Sequence, residues 1–533
     1  MILAGLVLAG CTVGPNYTEP SPSLGTAYGE VRQAPSSPGG KMADGRIVPV
    51  ADAPERWWAL FEDPELNALV DRALKDNRDL KQAVLRIRQA RAERAMIGAT
   101  LLPEVDTTAG YQRGRGSQNV ILPLGGSGSG GSGATSGTGT PSSAKSAAPL
   151  GHSQAVSEAG GSAPALPSSS SAAPPGGPAS PLGEGGLPGA TTNLFQAGFD
   201  ATWELDFFGV TRRAVEAANA EVDAATEAGR SIAVTLLAEV ATTYMEVRAD
   251  QTRMALARRN LSSQRETWEV LKDRARTGFA TDLDVAQQAA LVATTEAILP
   301  SLEMADREAV HALAFMMGAD PNALDAELGR PAALPPLPPA VPVGVPSDLL
   351  RRRPDVRQAE RQLAAATAEV AIARGQLFPQ FSLTGAVGLD SSTPKTLLDW
   401  SSRYYSISPG VRWPILDWGR VRAGIRVQNE LQEQAFVAYQ TAVAQALRDV
   451  EDSLVRYQGE QTRMEALTRA VSESREARDS AHAELLEGLV DERVTLEADR
   501  AVLQNEDALA QSQAMIRTDL ISLYKALGGG WER

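Results

Sequence analysis

Two periods organise this chain. Along Phe195, Ala197, Phe199, Ala201 and Trp203 every second position is apolar, with Gln196, Gly198, Asp200, Thr202 and Glu204 between them. That alternation predicts a strand with two unlike faces, near 194–204. Past Leu205-Asp206-Phe207-Phe208-Gly209 the period lengthens, and Val240, Val247, Met254, Leu261 and Trp268 recur every seven residues. A sustained heptad stripe predicts a coiled-coil-like helix over 210–276. At the usual rise per residue it would be about 100 Å long. Alternation returns near 104–112, 380–390 and 404–413, predicting three more strands.

The pattern occurs twice. Adding 210 carries the stripe onto Val450, Tyr457, Met464 and Val471, Trp203…Gly209 onto Trp413…Gly419, and Gly278 onto Gly488. Upstream, Asn77-Arg78-Asp79-Leu80 matches Arg353-Pro354-Asp355-Val356 and Pro103 matches Pro379, at an offset of 276. Self-similarity at fixed offsets marks two copies of one structural unit, and the 66-residue difference between offsets places an insertion in the first. The first repeat is assigned to 63–319, with a second helix at 282–317. A Pro-rich linker covers 320–346. The second repeat takes 347–527, with a helix over 347–378, a long helix at 419–486 and a last helix at 491–527, before a tail at 528–533. The insertion is the Gly/Ser/Pro/Ala tract 114–192. It has too little apolar surface to offset chain entropy and is expected to be a disordered loop. The segment 11–62 is expected to run extended along the surface, up to a helix start with Asp63 as N-cap and Pro64 in the first helical position.

The implied fold class is α+β, mostly α, with four strands per chain. Strands of about ten residues with one apolar face have the length of a tilted bilayer-crossing strand, whereas no apolar run reaches the roughly 20 residues of a spanning helix. Four strands cannot close a barrel, and lipid tolerates no open edge. Closure therefore demands an oligomer. Two chains would supply eight strands and three would supply twelve.

Composition narrows the chemistry. A net charge of −14 disfavours nucleic acid as a partner. Three histidines and one cysteine leave no His/Cys metal cluster. No Ser/His/Asp constellation is visible, so neither catalysis nor a cofactor is expected. Residues 1–10 are apolar and end in Leu8-Ala9-Gly10-Cys11, which reads as a lipoprotein signal with Cys11 acylated. The segment departs from a usual secretory signal in lacking Lys or Arg. A buried, inert cysteine is the alternative.

The run Leu349-Leu350-Arg351-Arg352-Arg353-Pro354-Asp355-Val356-Arg357-Gln358-Ala359-Glu360, continuing to Gln376-Leu377-Phe378-Pro379, resembles the hallmark of TolC-like outer membrane efflux proteins. Gly10-Cys11-Thr12-Val13-Gly14-Pro15-Asn16-Tyr17 and Trp57-Trp58 resemble the lipoprotein branch that serves resistance–nodulation–division pumps. The resemblance implies a homotrimer: a twelve-stranded barrel in outer membrane lipid, continued by a long α-helical periplasmic barrel. Its partners would be a periplasmic adaptor (membrane fusion) protein and an inner-membrane resistance–nodulation–division pump. The implied role is the exit duct of a tripartite system exporting small molecules such as drugs, toxic compounds or metal ions. The alternatives are a duct for protein secretion and a structural coiled-coil lipoprotein; the latter accounts for the heptads but not for the strands.

In such proteins the adaptor docks on the helix-hairpin ends. The resemblance therefore assigns the adaptor-contacting tips to Arg276, Gly278, Phe279, Thr281, Gly488, Leu489 and Val490. It also places an acidic residue nine positions after the tip glycine in the closed entrance, which here is Glu497, with Asp491 and Glu492 as further gate carboxylates. The family's Tyr-Arg pair before this glycine is replaced by Leu485 and Leu486. Arg276 stands at the matching spacing in the first copy, where it could pair with Asp491 or Glu492. The plainer reading is a solvated helix face, since Glu492, Asp499 and Glu506 recur every seven residues.

Overall fold

The computed structural model describes residues 12–22, 25–33, 45–48, 54–115 and 191–531. The signal, Cys11 and most of the 114–192 insertion lie outside the described residues. Ten α-helices run in order among them: α1 (Gly29–Gln33), α2 (Pro64–Asp76), α3 (Arg78–Ala99), α4 (Val210–Arg276), α5 (Asp282–Met316), α6 (Asp325–Leu328), α7 (Leu349–Arg352), α8 (Pro354–Gly375), α9 (Arg420–Leu486) and α10 (Glu492–Ala526). The strands are β1 (Arg46–Val48), β2 (Glu104–Arg115), β3 (Thr191–Leu205), β4 (Ala340–Pro342), β5 (Gln380–Ser391) and β6 (Arg403–Arg412). Repeat-equivalent helices have equal lengths: α3 and α8 have 22 residues, α4 and α9 have 67, and α5 and α10 have 35.

Local chemistry explains the ends. The Asp63 carboxylate accepts from the Glu65 and Leu66 amides, opening α2 with Pro64 as its first residue. Gly209 and Gly419 stand before α4 and α9 at φ of 79° and 84°, in the left-handed region that glycine enters at least cost. The expected helix over 347–378 is broken. Arg353 is extended (φ −80°, ψ 116°), so α7 ends before it and α8 starts at Pro354. The proline ring crowds the preceding residue out of the α region, and its missing N–H is harmless only in the first helical position.

Chain packing separates two compact units, and they do not follow the two repeats. One takes Met1–Glu104, Trp203–Leu383 and Pro409–Arg533, the other Val105–Thr202 and Thr384–Ser408, in each case their described residues.

The first unit is helical. Its core gathers both heptad stripes, with Val240, Val247, Val450 and Tyr457 fully buried. Against them lie Leu66, Leu69 and Val70 of α2 and Leu520, Ile521 and Tyr524 of α10. Trp57 stacks on Tyr524 with ring centroids 5.7 Å apart. The N-terminal segment is more structured than an extended surface run. The Glu451 carboxylate accepts from the Gly29 and Glu30 amides at the start of α1. β1 pairs in parallel with β4 from the Pro-rich linker. Residues 12–17 are tied to the helices: the Val13 amide donates to Phe208 O, Arg213 donates to Asn16, and the Tyr17 hydroxyl donates to Glu360.

The second unit holds a four-stranded sheet in the order β2-β3-β5-β6, which leaves β2 and β6 as edges among the described residues. Val105, Tyr111, Phe199, Val387, Tyr405 and Ile407 are exposed, all on the predicted apolar sides. The polar sides hydrogen-bond across strands, Thr108 to Asp200 at 2.9 Å and Gln196 to Tyr404 at 3.3 Å. β2 and β3 continue to Arg115 and from Thr191, into the ends of the stretch expected to be a loop.

Candidate functional site

Both tips are built the same way. At the end of α4 the Gly278 amide donates to Ala275 O at 3.0 Å and the Phe279 amide to Arg274 O at 2.8 Å. At the end of α9 the Gly488 amide donates to Leu485 O at 3.1 Å and the Leu489 amide to Glu484 O at 2.9 Å. This paired closure of the last helical turn needs a residue at positive φ, supplied by Gly278 at 82° and Gly488 at 75°. The residue after each glycine is pushed outward: Phe279 is 77% and Leu489 69% exposed. Each hairpin thus carries one exposed apolar side chain at its apex.

The next helices start differently. Thr281 caps α5 reciprocally, its hydroxyl accepting from the Asp284 amide while the Asp284 carboxylate accepts from the Thr281 amide. Asp491 has the right backbone to cap α10 but makes no such side-chain bond. Its carboxylate lies 3.7 Å from Arg493 instead.

The carboxylates past the second tip occupy three environments. Glu492 is buried and faces Arg274 at 3.3 Å. Burial raises its pKa; Arg274 and His482 counter the rise, and Asp284 and Asp491 add to it. Asp499 faces His482 at 3.3 Å, and Glu506 takes Arg475 at 2.5 Å. The row Glu492, Asp499, Glu506 is therefore a line of partnered carboxylates, two of them paired with arginines and Asp499 with the His482 ring, and not a freely solvated face. Glu497 is exposed and has no ion-pair partner among the described residues. The expected partner of the acidic cluster is corrected: Arg276 is exposed and pairs with Asp273 at 2.9 Å, while Arg274 reaches Glu492. Helix phase is the cause. Arg274 lies one turn after Leu271, which is 1% exposed, whereas Arg276 points away from that face. The last buried apolar position of the helix was the signal that could have found it.

Sequence reading also passed over Arg353 of the Arg-Arg-Arg-Pro-Asp run. Its guanidinium donates to Ala526 O at 3.1 Å and Ala446 O at 3.4 Å, and pairs with Asp355 and Asp449 at 2.6 and 3.1 Å. A second buried network joins Arg248 to Glu65 and to the Tyr244 hydroxyl, which donates to Asp63. Both hold helices together rather than face a ligand. Among the described residues no group of His, Cys, Asp or Glu could hold a metal ion, and no helix is long and apolar enough to cross a membrane. Cys11 lies outside the described residues; the next residue, Thr12, sits against Gly209.

Comparison with known proteins gives a consistent picture. The family described as Outer membrane efflux protein matches residues 69–145, 159–319 and 345–529. The pyoverdine export outer membrane protein OpmQ of Pseudomonas aeruginosa is 31% identical over 477 residues, covering 90% of this chain and 88% of its own. The toluene efflux pump outer membrane protein TtgF of Pseudomonas putida is 27% identical over 544 residues, covering 100% of this chain and 96% of its own. Among solved structures, the outer-membrane channel OprN superposes with a TM-score of 0.79 at 30% identity, covering 98% of this chain and 100% of that one.

Proposed function

The chain belongs to the outer membrane efflux protein family, and from that premise we propose a homotrimeric exit duct, lipid-anchored through Cys11 and docked at its hairpin tips. It is an outer membrane channel with a periplasmic helical part, working with efflux pumps. The carrying observation is the open sheet: β2 and β6 are edges and the apolar strand faces are exposed. Such a sheet is stable in lipid only when other copies close it, and three copies supply twelve strands. The adaptor would meet Arg276, Gly278, Phe279, Thr281, Gly488, Leu489 and Val490, with Phe279 and Leu489 as apolar anchors. A resistance–nodulation–division pump would complete the path. Relatives named for pyoverdine and toluene support small molecules as cargo.

Glu497 supports the gate reading best, because it is exposed and unpaired while Glu492 is committed to Arg274. Three such carboxylates near one axis would favour cations. In planar bilayers the purified protein should conduct with cation preference, and Glu497→Ala should reduce that preference by about tenfold. Unchanged selectivity would remove Glu497 from the gate. A protein that forms no channel and fails to restore efflux to a duct-deficient strain would overturn the duct itself.

A further inference from the structure

The apolar side of the four-stranded sheet differs between its two ends. One end joins the helices: β2 follows α3 and β5 follows α8, while β3 and β6 lead on to α4 and α9. There the apolar side closes with Trp203, Phe381, Val411 and Trp413 and carries no Lys or Arg. Both indoles are satisfied by the chain itself, Trp203 donating to Leu101 O and Trp413 to Leu377 O, each at 3.0 Å. The other end is built differently. On β2 the alternation Val105, Thr107, Ala109, Tyr111 continues as Arg113 and Arg115, and on β6 the side that holds Tyr405 and Ile407 begins with Arg403. Every Lys or Arg on the apolar side of these strands therefore stands at the end without helices. Next to Arg403, in the connection from β5, Leu398 and Trp400 are 82% and 78% exposed. The Arg403 guanidinium lies over the Trp400 ring, 3.5 Å from its centroid. Hydroxyls pin this connection, Ser391 donating to Thr393 O at 2.8 Å and Ser402 to Thr396 O at 2.7 Å. Among the described residues neither Arg113 nor Arg403 has an ion-pair partner, and Asp399, the one carboxylate of the connection, pairs with neither.

We propose that Arg403 and Trp400 of one copy, with Arg113 of the next, form a site for a phosphate-bearing lipid of the outer leaflet. The inference rests on the proposed assembly, in which the sheet edges β6 and β2 of neighbouring copies come together. β6 starts at the end without helices and β2 finishes there, so Arg403 and Arg113 reach the same end of that seam. The helical part is periplasmic, so this end faces the exterior. An arginine on the lipid side of a strand is costly at mid-membrane and nearly free at headgroup level. Its position thus marks where headgroups begin, and an arginine without a carboxylate there has its donors left for an anion.

Charge complementarity and the mixed chemistry of the site select the occupant. A guanidinium fork matches two oxygens of one phosphate, and Trp400 fixes the Arg403 fork from one side. A free phosphate ion would use the arginines but leave Leu398 and Trp400 uncovered. A lipid answers both, with its phosphate on the arginines and the first methylenes of its acyl chains on the two apolar side chains. A zwitterionic headgroup brings its own ammonium against two cations and fits less well. The aromatic end beside the helices offers no such cation, so the sheet distinguishes the two leaflets.

Native mass spectrometry of the delipidated full-length protein in detergent tests this, with lipid A, its dephosphorylated form and phosphatidylethanolamine as probes. The wild-type oligomer should take up one lipid A per chain and bind the other two at least about tenfold more weakly. Arg113→Gln with Arg403→Gln should weaken lipid A binding by about tenfold or more. Arg412→Gln, on the same strand but on its polar side and at the helix end, should leave it unchanged. Excess inorganic phosphate should not displace the lipid. An intact double variant that binds lipid A like the wild type overturns the site. So does equal uptake of the dephosphorylated form, and displacement by inorganic phosphate would assign the arginines to a free anion instead. The lipid comparison uses the wild-type protein alone, so it decides the question even where the double variant fails to assemble. A wild-type chain that stays monomeric overturns the shared site together with the assembly, whereas an oligomer indifferent to lipid phosphate overturns the site alone.

Discussion

Asn77 and Arg353 occupy equivalent places in the two copies, yet they solve one problem with different chemistry. Each stands before a 22-residue helix, and each carries a donor to a carbonyl at the end of a 35-residue one. Asn77 donates to Met316 O at 2.7 Å. Arg353 donates to Ala526 O, 210 positions beyond Met316, at 3.1 Å. The last carbonyls of a helix have no partner within it, and these two find theirs in a side chain from elsewhere in the chain. Asn77 also caps its own helix, accepting from the Asp79 and Leu80 amides. Arg353 leaves that to Pro354 and spends its remaining donors on Asp355 and Asp449. The repeat thus preserves a backbone group that must be satisfied, not the side chain that satisfies it. The difference in cost should be large. Arg353→Ala leaves two carbonyls without their donor and removes the main cation beside Asp355 and Asp449, although Asp449 keeps Gln445 and Arg448, and should lose about 3–5 kcal/mol. Asn77→Ala removes a cap and one neutral bond and should lose about 1–2 kcal/mol. Urea unfolding of the two variants in one detergent measures both; equal losses would show that the carbonyl, and not the charge cluster, is what matters at Arg353.

The tips sharpen the comparison with a smaller effect. Glu492 is buried against Arg274, whereas Asp282, its counterpart in the first copy, is exposed. Burial holds the Glu492 pKa above its ordinary value, with Arg274 opposing. The folded value is therefore the higher one. Its contribution to stability is complete below the ordinary glutamate pKa and fades as pH rises through the raised folded value. Glu492→Gln should flatten the pH slope of the urea midpoint in that window. A slope unchanged by Glu492→Gln would assign the titration to another group.

Much of this architecture was legible because it rests on local rules. Heptads such as Val240 to Leu261 must face inward along their whole length, and Gly209, Gly278, Gly419 and Gly488 mark backbone that needs positive φ. Asp63 and Pro64 announced their helix because capping involves neighbours in sequence. The break at Arg353 was equally local, written in Pro354, and was overlooked. What stayed hidden depends on distant partners. Nothing near Arg353 names Ala526, 173 residues away, and nothing near Glu492 chooses Arg274 over Arg276 until the helix phase is known. The offsets themselves were legible, but which stripe each copy buries was not. Val427 and Ala217 are both small apolar residues, and only packing shows one exposed and the other covered.

The smallest difference between the copies is the start of the returning helices. Thr281 and Asp284 close a reciprocal cap, whereas Asp491 turns to Arg493, with both of those side chains about two-thirds exposed at 66% and 68%. The reason is readable: the position equivalent to Asp284 is Val494, which cannot reach back to the backbone. A hydrogen-bonded cap resists salt, while a bare carboxylate at a helix start acts through the macrodipole and is screened. Thr281→Ala should therefore cost about 1 kcal/mol at any ionic strength. Asp491→Ala should cost about 0.3–1 kcal/mol at low salt and fall towards nothing at high salt. Amide hydrogen exchange at 283–286 and 493–496, read in the same sample at two salt concentrations, measures both. The comparison can also be reversed. Asp491→Thr with Val494→Asp transplants the reciprocal cap, and exchange at 493–496 should slow and lose its salt dependence. If the transplanted cap leaves that exchange as it was, the first turn of α10 is held by Glu492 and Arg274, and capping is not what separates the two tips.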